Sequence, residues 1–216
     1  MARHFSRLSL KWVAAISVIT TCVGFAHLAL AQDTDWAMGF YGEVIPVLSG
    51  DAGSGGDAPE YNDAFGLSVG GGMELEYRFH PSWSVLVGGG LENYSGDSFK
   101  GVEFDSWHIV PLYVGLKYRI HSEEDVWSPY LRLDAGVAYL SDVDISFGGV
   151  SDTYWDSSWS FLADAGLGVE YPVEDFSLFF EIKGRFIDSP DEAFGNLSDA
   201  DELWSMPVVF GIKIRF

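Results

Sequence analysis

From Trp204 onward the chain alternates: Trp204, Met206, Val208, Phe210, Ile212, Ile214 and Phe216 are apolar, while Ser205, Gly211, Lys213 and Arg215 fall between them. A period of two puts successive side chains on opposite faces of a strand, so this segment reads as a β-strand with one oily side. Seven further segments read the same way, at 36–48, 65–79, 83–94, 106–121, 129–140, 158–171 and 176–187. With 204–216 they make eight strands, each long enough to cross a bilayer at a tilt. The apolar parity of the eight covers 51 positions without one Asp, Glu, Lys or Arg, where a chain 20% charged would place about ten. A shift of one residue would exchange the faces, so parity fixes orientation.

The opposite face carries sixteen charges in balance. The acids are Glu43, Glu74, Glu76, Glu92, Asp134, Asp164, Glu170 and Glu181; the bases are Arg78, Lys117, Arg119, Arg132, Lys183, Arg185, Lys213 and Arg215. An eight-stranded barrel has an interior only just wide enough for side chains, which could not hold the whole apolar set. With the charges inside, glycines such as Gly72, Gly88 and Gly168 leave room for long side chains to pair as a lumenal charge network, and the oily face meets lipid. A β-sandwich also offers one apolar face per strand, but usually alternates over shorter strands. The expected fold is therefore all-β: an eight-stranded antiparallel transmembrane up-and-down β-barrel.

Connection lengths point the same way. The links at 49–64, 95–105, 141–157 and 188–203 are long, and those at 80–82, 122–128 and 172–175 are short. Long outer loops and short periplasmic turns have this rhythm, which puts both termini in the periplasm. Aromatic residues fall near both rims, with Tyr77, Trp83, Tyr118 and Tyr171 at the short-turn end and Phe65, Tyr139, Trp159, Phe186 and Trp204 at the other. Pro46, Pro111 and Pro207 each remove a ladder donor near the outer rim, and a lateral opening between strands one and eight is one expectation they raise.

Residues 1–31 read as a secretory signal peptide, cleaved to leave the barrel at 32–216. Arg3, Arg7 and Lys11 precede an apolar run that ends in Ala29-Leu30-Ala31. Cys22 is the only cysteine, so after cleavage neither disulfides nor thiolate chemistry is available. All 32 acids follow this segment while three of the 12 bases lie in it, which makes nucleic acid an unsuitable partner.

The signal, the eight strands and the closing segment Val208-Val209-Phe210-Gly211-Ile212-Lys213-Ile214-Arg215-Phe216 resemble the small outer-membrane barrels of the OmpA and OmpX type. The resemblance implies a Gram-negative outer membrane, lipid and lipopolysaccharide as surroundings, and a monomer. It also implies that Phe210, Ile212, Ile214 and Phe216 form the signal read by the barrel-assembly machinery. OmpA continues into a peptidoglycan-binding domain, and this chain stops at the barrel, so cell-wall anchoring is not implied.

Three roles follow. The first is structural or surface-interacting, with acidic loops presented outside: Asp51, Asp57, Glu60 and Asp63, then Asp142, Asp144, Asp152 and Asp156, then Asp188, Asp191, Glu192, Asp199, Asp201 and Glu202. Ordinary solvation accounts for them better than specific cation binding, and Asp142 to Gly148 lacks EF-hand spacing. The second is a small porin-like pore, which self-neutralising lumenal charges would obstruct. The third is a lipid-modifying enzyme. Only His80, His108 and His121 follow the signal; His80 and His121 sit at short turns, leaving His108 beside Ser106, a generic pair. No catalytic set, metal site or cofactor site is expected. The triple glycines at 70–72 and 88–90 are not phosphate loops, because no helix pattern or Lys-Ser pair follows.

Overall fold

Alternating β-branched and aromatic residues favour extended backbone, and in hydrocarbon every backbone donor needs a partner from a neighbouring strand. The computed structural model describes residues 35–53, 58–120, 127–192 and 200–216, and meets that demand by closure. In chain order the elements are β1 (Trp36–Ile45), β2 (Val47–Ser49), a helical turn α1 (Tyr61–Ala64), β3 (Phe65–His80) and β4 (Trp83–Gly96). Next come β5 (Ser98–Phe99), β6 (Val102–Phe104), β7 (Trp107–Arg119), β8 (Ser128–Leu140), β9 (Val143–Phe147) and β10 (Val150–Asp156). The chain ends with β11 (Ser158–Val173), β12 (Phe176–Ile187), β13 (Asp191–Glu192), β14 (Leu203–Ser205) and β15 (Val208–Arg215). The signal peptide expected at 1–31 lies outside the described residues, as does His121.

Eight of these strands, β1, β3, β4, β7, β8, β11, β12 and β15, pair antiparallel around a closed ring within the unit Trp36–Arg215. The ring shuts where β1 meets β15, from Ala37 opposite Arg215 to Val44 opposite Val208. Val69, Leu91, Val114, Leu133, Leu167 and Phe210 point outward and are exposed, as a lipid-facing wall requires. Aromatic pairs ring the short-turn rim: Trp36 on Tyr77 and Trp83 on Tyr118 at 4.7 Å, and Trp127 on Tyr171 at 4.9 Å. At the other rim Tyr139 meets Trp159 at 5.4 Å and Phe186 meets Trp204 at 5.2 Å. Amphipathic rings suit the two headgroup boundaries.

Two expectations need correction. The prolines split the outer strands and do not open the seam. Pro46 separates β1 from β2 and Pro207 separates β14 from β15, yet Met206 N–H donates to the Pro46 carbonyl and Lys183 N–H to the Pro207 carbonyl, both at 2.9 Å. Pro111 does interrupt a ladder: β4 and β7 pair at Gly89 with Leu112 and resume at Glu92 with Ile109. The long connections are also not plain loops. Segments β5, β6, β9, β10 and β13 form a second sheet in the order β13-β10-β9-β6-β5, which draws three of them into one cap.

Candidate functional site

The lumen holds its ions in three layers. At the short-turn end Lys117 reaches Glu170 at 2.9 Å, Arg119 and Lys213 both grip Glu76, and Arg215 reaches Glu170 at 3.1 Å. In the middle the Arg132 guanidinium bridges Glu74 at 2.7 Å and Asp134 at 2.8 Å, while Lys183 lies 3.3 Å from Glu181 and 3.6 Å from Asp134. Above them Arg185 donates to both oxygens of Asp164 at 2.9 and 3.0 Å and also grips Glu92. Fourteen of the sixteen charged residues are buried. Arg78 is half-buried and Arg215 has a side chain 47% exposed. Arg78 joins no ion pair among the described residues, and its buried Nε lacks a hydrogen-bond partner. Among the described residues neither oxygen of Glu43 accepts a hydrogen bond, and Arg185 stands 3.9 Å from it.

Tyrosines share this space, a feature the charge pattern did not reveal. Tyr41 and Tyr113 meet across the lumen, hydroxyl to hydroxyl at 3.3 Å, and Tyr94 donates to Glu92 at 3.2 Å. The inward glycines make room for these rings. A Cβ on Gly72 would lie 2.6 Å from the Tyr41 hydroxyl, and one on Gly168 would lie 2.5 Å from the Tyr130 ring. The signal was present in sequence as Tyr at inward positions of strands that carry inward glycines, such as Tyr41, Tyr113 and Tyr130.

Above the ions an apolar plug closes the barrel. Tyr61 of α1 stacks on Trp107 at 5.8 Å with planes 5° apart, and Trp107 packs on Trp155 of β10 at 5.1 Å. Phe65 fits between them, 5.6 Å from Trp107 and 5.9 Å from Trp155. Phe65 was expected at the outer lipid rim, but the register shifts between Phe65 and Ser68 and turns the ring inward, leaving it 2% exposed. Bulges re-aim side chains in this way. Each buried ring contributes about 1.5–3 kcal/mol by leaving water. The Tyr61 hydroxyl donates to the Asp201 carbonyl at 2.9 Å. Burial, with the nearby charge of Asp201 adding to it, pushes this phenol well above its ordinary range and keeps it a neutral donor.

The acidic loop residues spread over the cap surface. Asp144 accepts from the Thr153 hydroxyl at 2.8 Å, and Asp51, Glu60, Asp201 and Glu202 border a cavity of about 320 Å³ beside Trp204. Asp57 and Asp199 lie outside the described residues. Ser106 and His108 are both exposed at the outer end of β7, and no hydrogen bond joins them among the described residues. His80 stays at its short turn, where its Nδ1 accepts from Ser82 N–H at 3.2 Å.

A closed eight-stranded antiparallel barrel with a lipid-compatible outer wall is an integral outer-membrane architecture. The outer membrane protein beta-barrel domain family matches residues 18–216, and the chain belongs to that family of outer-membrane proteins. Among curated proteins none matches. Solved barrels do. Neisserial surface protein A is 11% identical with a TM-score of 0.54, over 85% of this chain and 98% of that one. Outer membrane protein W of Escherichia coli is 17% identical with a TM-score of 0.44, over 87% and 100%. The outer membrane protease OmpT of Escherichia coli is 9% identical with a TM-score of 0.47, over 86% and 98%. The likeness to Neisserial surface protein A shows the fold.

Proposed function

We propose that this barrel is a closed outer-membrane protein with a structural or surface-interaction role, working through its folded outer cap and not through its lumen or a catalytic site. The supporting observation is that the interior is filled twice over. Fourteen inward charges are buried and cross-linked, and the aromatic plug of Tyr61, Phe65, Trp107 and Trp155 sits above them. The ring faces of this plug offset little of the desolvation cost of a passing ion, which disfavours conduction through it. The cap then presents a strongly acidic surface outward, with Lys100 the one base in the four long connections. That surface suits divalent cations shared with lipopolysaccharide phosphates, or a basic partner.

Purified protein in a planar bilayer is expected to give no defined conductance steps. Steady unitary steps would overturn the closed reading and favour a pore. Among the described residues no acid is hydrogen-bonded to the exposed His108, so purified protein is expected to release no fatty acid from lipid A; release abolished by His108→Ala would instead make it an enzyme. In the same proposal Phe210, Ile212, Ile214 and Phe216 carry the signal for the barrel-assembly machinery. Phe216→Ala is expected to lower the folded fraction in the outer membrane while detergent refolding proceeds normally.

A further inference from the structure

One face of the cap sheet stays apolar beyond the plug that it covers. On β9 the side chains of Val143, Ile145 and Phe147 share that face, and they pass from fully buried through half-buried to 65% exposed. Directly opposite residues of an antiparallel ladder also share a face. Ile145 opposes Phe104, Phe147 opposes Val150, and Val102, two residues before Phe104, opposes Phe99. Phe104 and Val143 belong to the core around the plug, so this is the core-facing side carried past the core. It ends at two hairpin tips. Each turns on two residues of positive φ, Lys100 (50°) with Gly101 (85°) and Gly148 (60°) with Gly149 (84°), as the tight type I′ hairpin requires. The tips lie side by side, since a Cβ on Gly101 would meet the Phe147 ring at 3.9 Å. Phe99, Val102, Phe147 and Val150 thus form one apolar ledge, with Val150 72% exposed.

We propose that this ledge docks a basic, apolar segment of another protein, a proposal that rests on the surface-interaction reading of the cap and gives it a place and a partner. An exposed apolar patch bordered by polar residues marks a contact surface. Exposed Asp97, Glu103 and Asp152 border this one, and Asp152 opposes Ile145 on the ledge's own face. The connections that build it, 95–105 and 141–157, hold seven acids and one base, Lys100, whose Nζ lies 4.9 Å from the Phe99 ring centre. That charge selects the occupant. A second copy would bring the same acids to the contact, and an anionic lipid surface would meet them with like charge, so both are repelled. A segment carrying Lys or Arg beside Val or Leu satisfies both halves of the ledge: its apolar side chains cover Phe147 and Val150 while its bases face Asp152, Glu103 and Asp97.

The test is fluorescence anisotropy of two labelled peptides, Lys-Val-Lys-Val-Lys-Val-Lys and its counterpart with Ser for Val, against the full-length protein in phosphatidylcholine nanodiscs, with empty nanodiscs subtracted. The valine peptide is expected to bind saturably, and the serine peptide about tenfold more weakly or worse. Phe147→Ser with Val150→Ser should weaken the valine peptide by about tenfold or more, because burying either side chain is worth roughly that factor. Asp152→Asn with Glu103→Gln keeps the apolar residues; it should weaken binding severalfold and flatten its salt dependence, and it serves as the test even if the serine pair disturbs the hairpins. Asp51→Asn with Glu202→Gln, at the separate cavity beside Trp204, should leave binding unchanged. Equal binding of the two peptides, or affinity untouched by Phe147→Ser with Val150→Ser, would overturn the ledge and leave the acidic cap standing as a contact surface. No binding of either peptide would overturn the ledge and the basic partner of the cap together. Self-association of the barrel, or attachment to anionic vesicles, that is lost with Phe147→Ser would also overturn the proposal, by giving the ledge a different occupant.

Discussion

Arg185 is shared by three buried carboxylates, of which, among the described residues, only Asp164 has a further cation, Lys183 at 3.8 Å, and its removal is the sharpest probe of the lumen. Its guanidinium donates to both oxygens of Asp164, grips Glu92 and stands 3.9 Å from Glu43. Arg185→Met keeps the volume of the stem and deletes the charge, leaving three acids facing one another in a space closed above by the plug. Breaking one buried pair by removing a partner costs about 3–5 kcal/mol. A loss of about 4 kcal/mol is therefore expected, roughly a thousandfold in the folding constant and a large share of an ordinary stability margin. The compensated variant Arg185→Met with Glu43→Gln, Glu92→Gln and Asp164→Asn removes the stranded charges. It should recover to within about 1–2 kcal/mol of the parent, because a neutral, well-packed set can replace a buried ion cluster at little net cost. Both are measured by urea unfolding in lipid vesicles, read by tryptophan fluorescence and by heat-modifiable migration. A loss under about 1 kcal/mol for Arg185→Met, or a compensated variant no more stable than the single one, would refute the reasoning.

The outer wall predicts a depth dependence: Val114→Arg, at mid-strand and 63% exposed, should cost about 2–4 kcal/mol, and Leu48→Arg, beyond Pro46, about 0–1, by the same unfolding titration. Trp155→Ala removes the centre of the plug and should cost about 3–5 kcal/mol. Limited proteolysis should then cut within 141–157 while the barrel keeps its heat-modifiable migration. Gly136→Ala would set a Cβ 2.0 Å from the Leu112 carbonyl and 2.7 Å from Tyr113 Cα, both backbone, and should cost about 1–3 kcal/mol. Gly184→Ala faces outward with its nearest atom at 3.9 Å and should fold as the parent does.

The barrel was legible because the signal is local. Lipid excludes charge from one face of every crossing, so parity can be counted along the chain without knowing what lies opposite. Segment 176–187 needs only its own residues to place Phe180 outward and Lys183 inward, and the pairing of Phe180 with Phe210 across β12 and β15 keeps that parity. Strand ends were less legible: Pro46 and Pro207 divide what one alternating run would join, and the shift after Phe65 reverses its side. The partners within the lumen were not legible at all. Whether Lys213 meets Glu76 or Glu170 depends on the stagger of strands around the ring, which no single strand encodes. The plug was hidden for the same reason, since Tyr61, Trp107 and Trp155 come from three separate segments and have no common period.

Buried ions are a costly way to fill a lumen, and their use here has a physical reason in register. An interior of Leu and Val would make both faces of each strand acceptable to lipid, and a strand slipped by one residue would then cost little. In β12 such a slip would turn Glu181, Lys183 and Arg185 toward hydrocarbon, at about 2–4 kcal/mol for each of the two bases at mid-depth. The same slip would take Arg185 from Glu92 and Asp164 and Lys183 from Asp134, which would keep only Arg132. The ion layers thus act against misregistered barrels more than for the native one, which is why the compensated Arg185 variant can be nearly as stable as its parent and still assemble with less uniform pairing between β11 and β12. Hydrogen exchange across that ladder, from Leu162 opposite Ile187 to Val173 opposite Phe176, would read the difference directly, and uniform protection in the compensated barrel would remove register from the list of what these charges do.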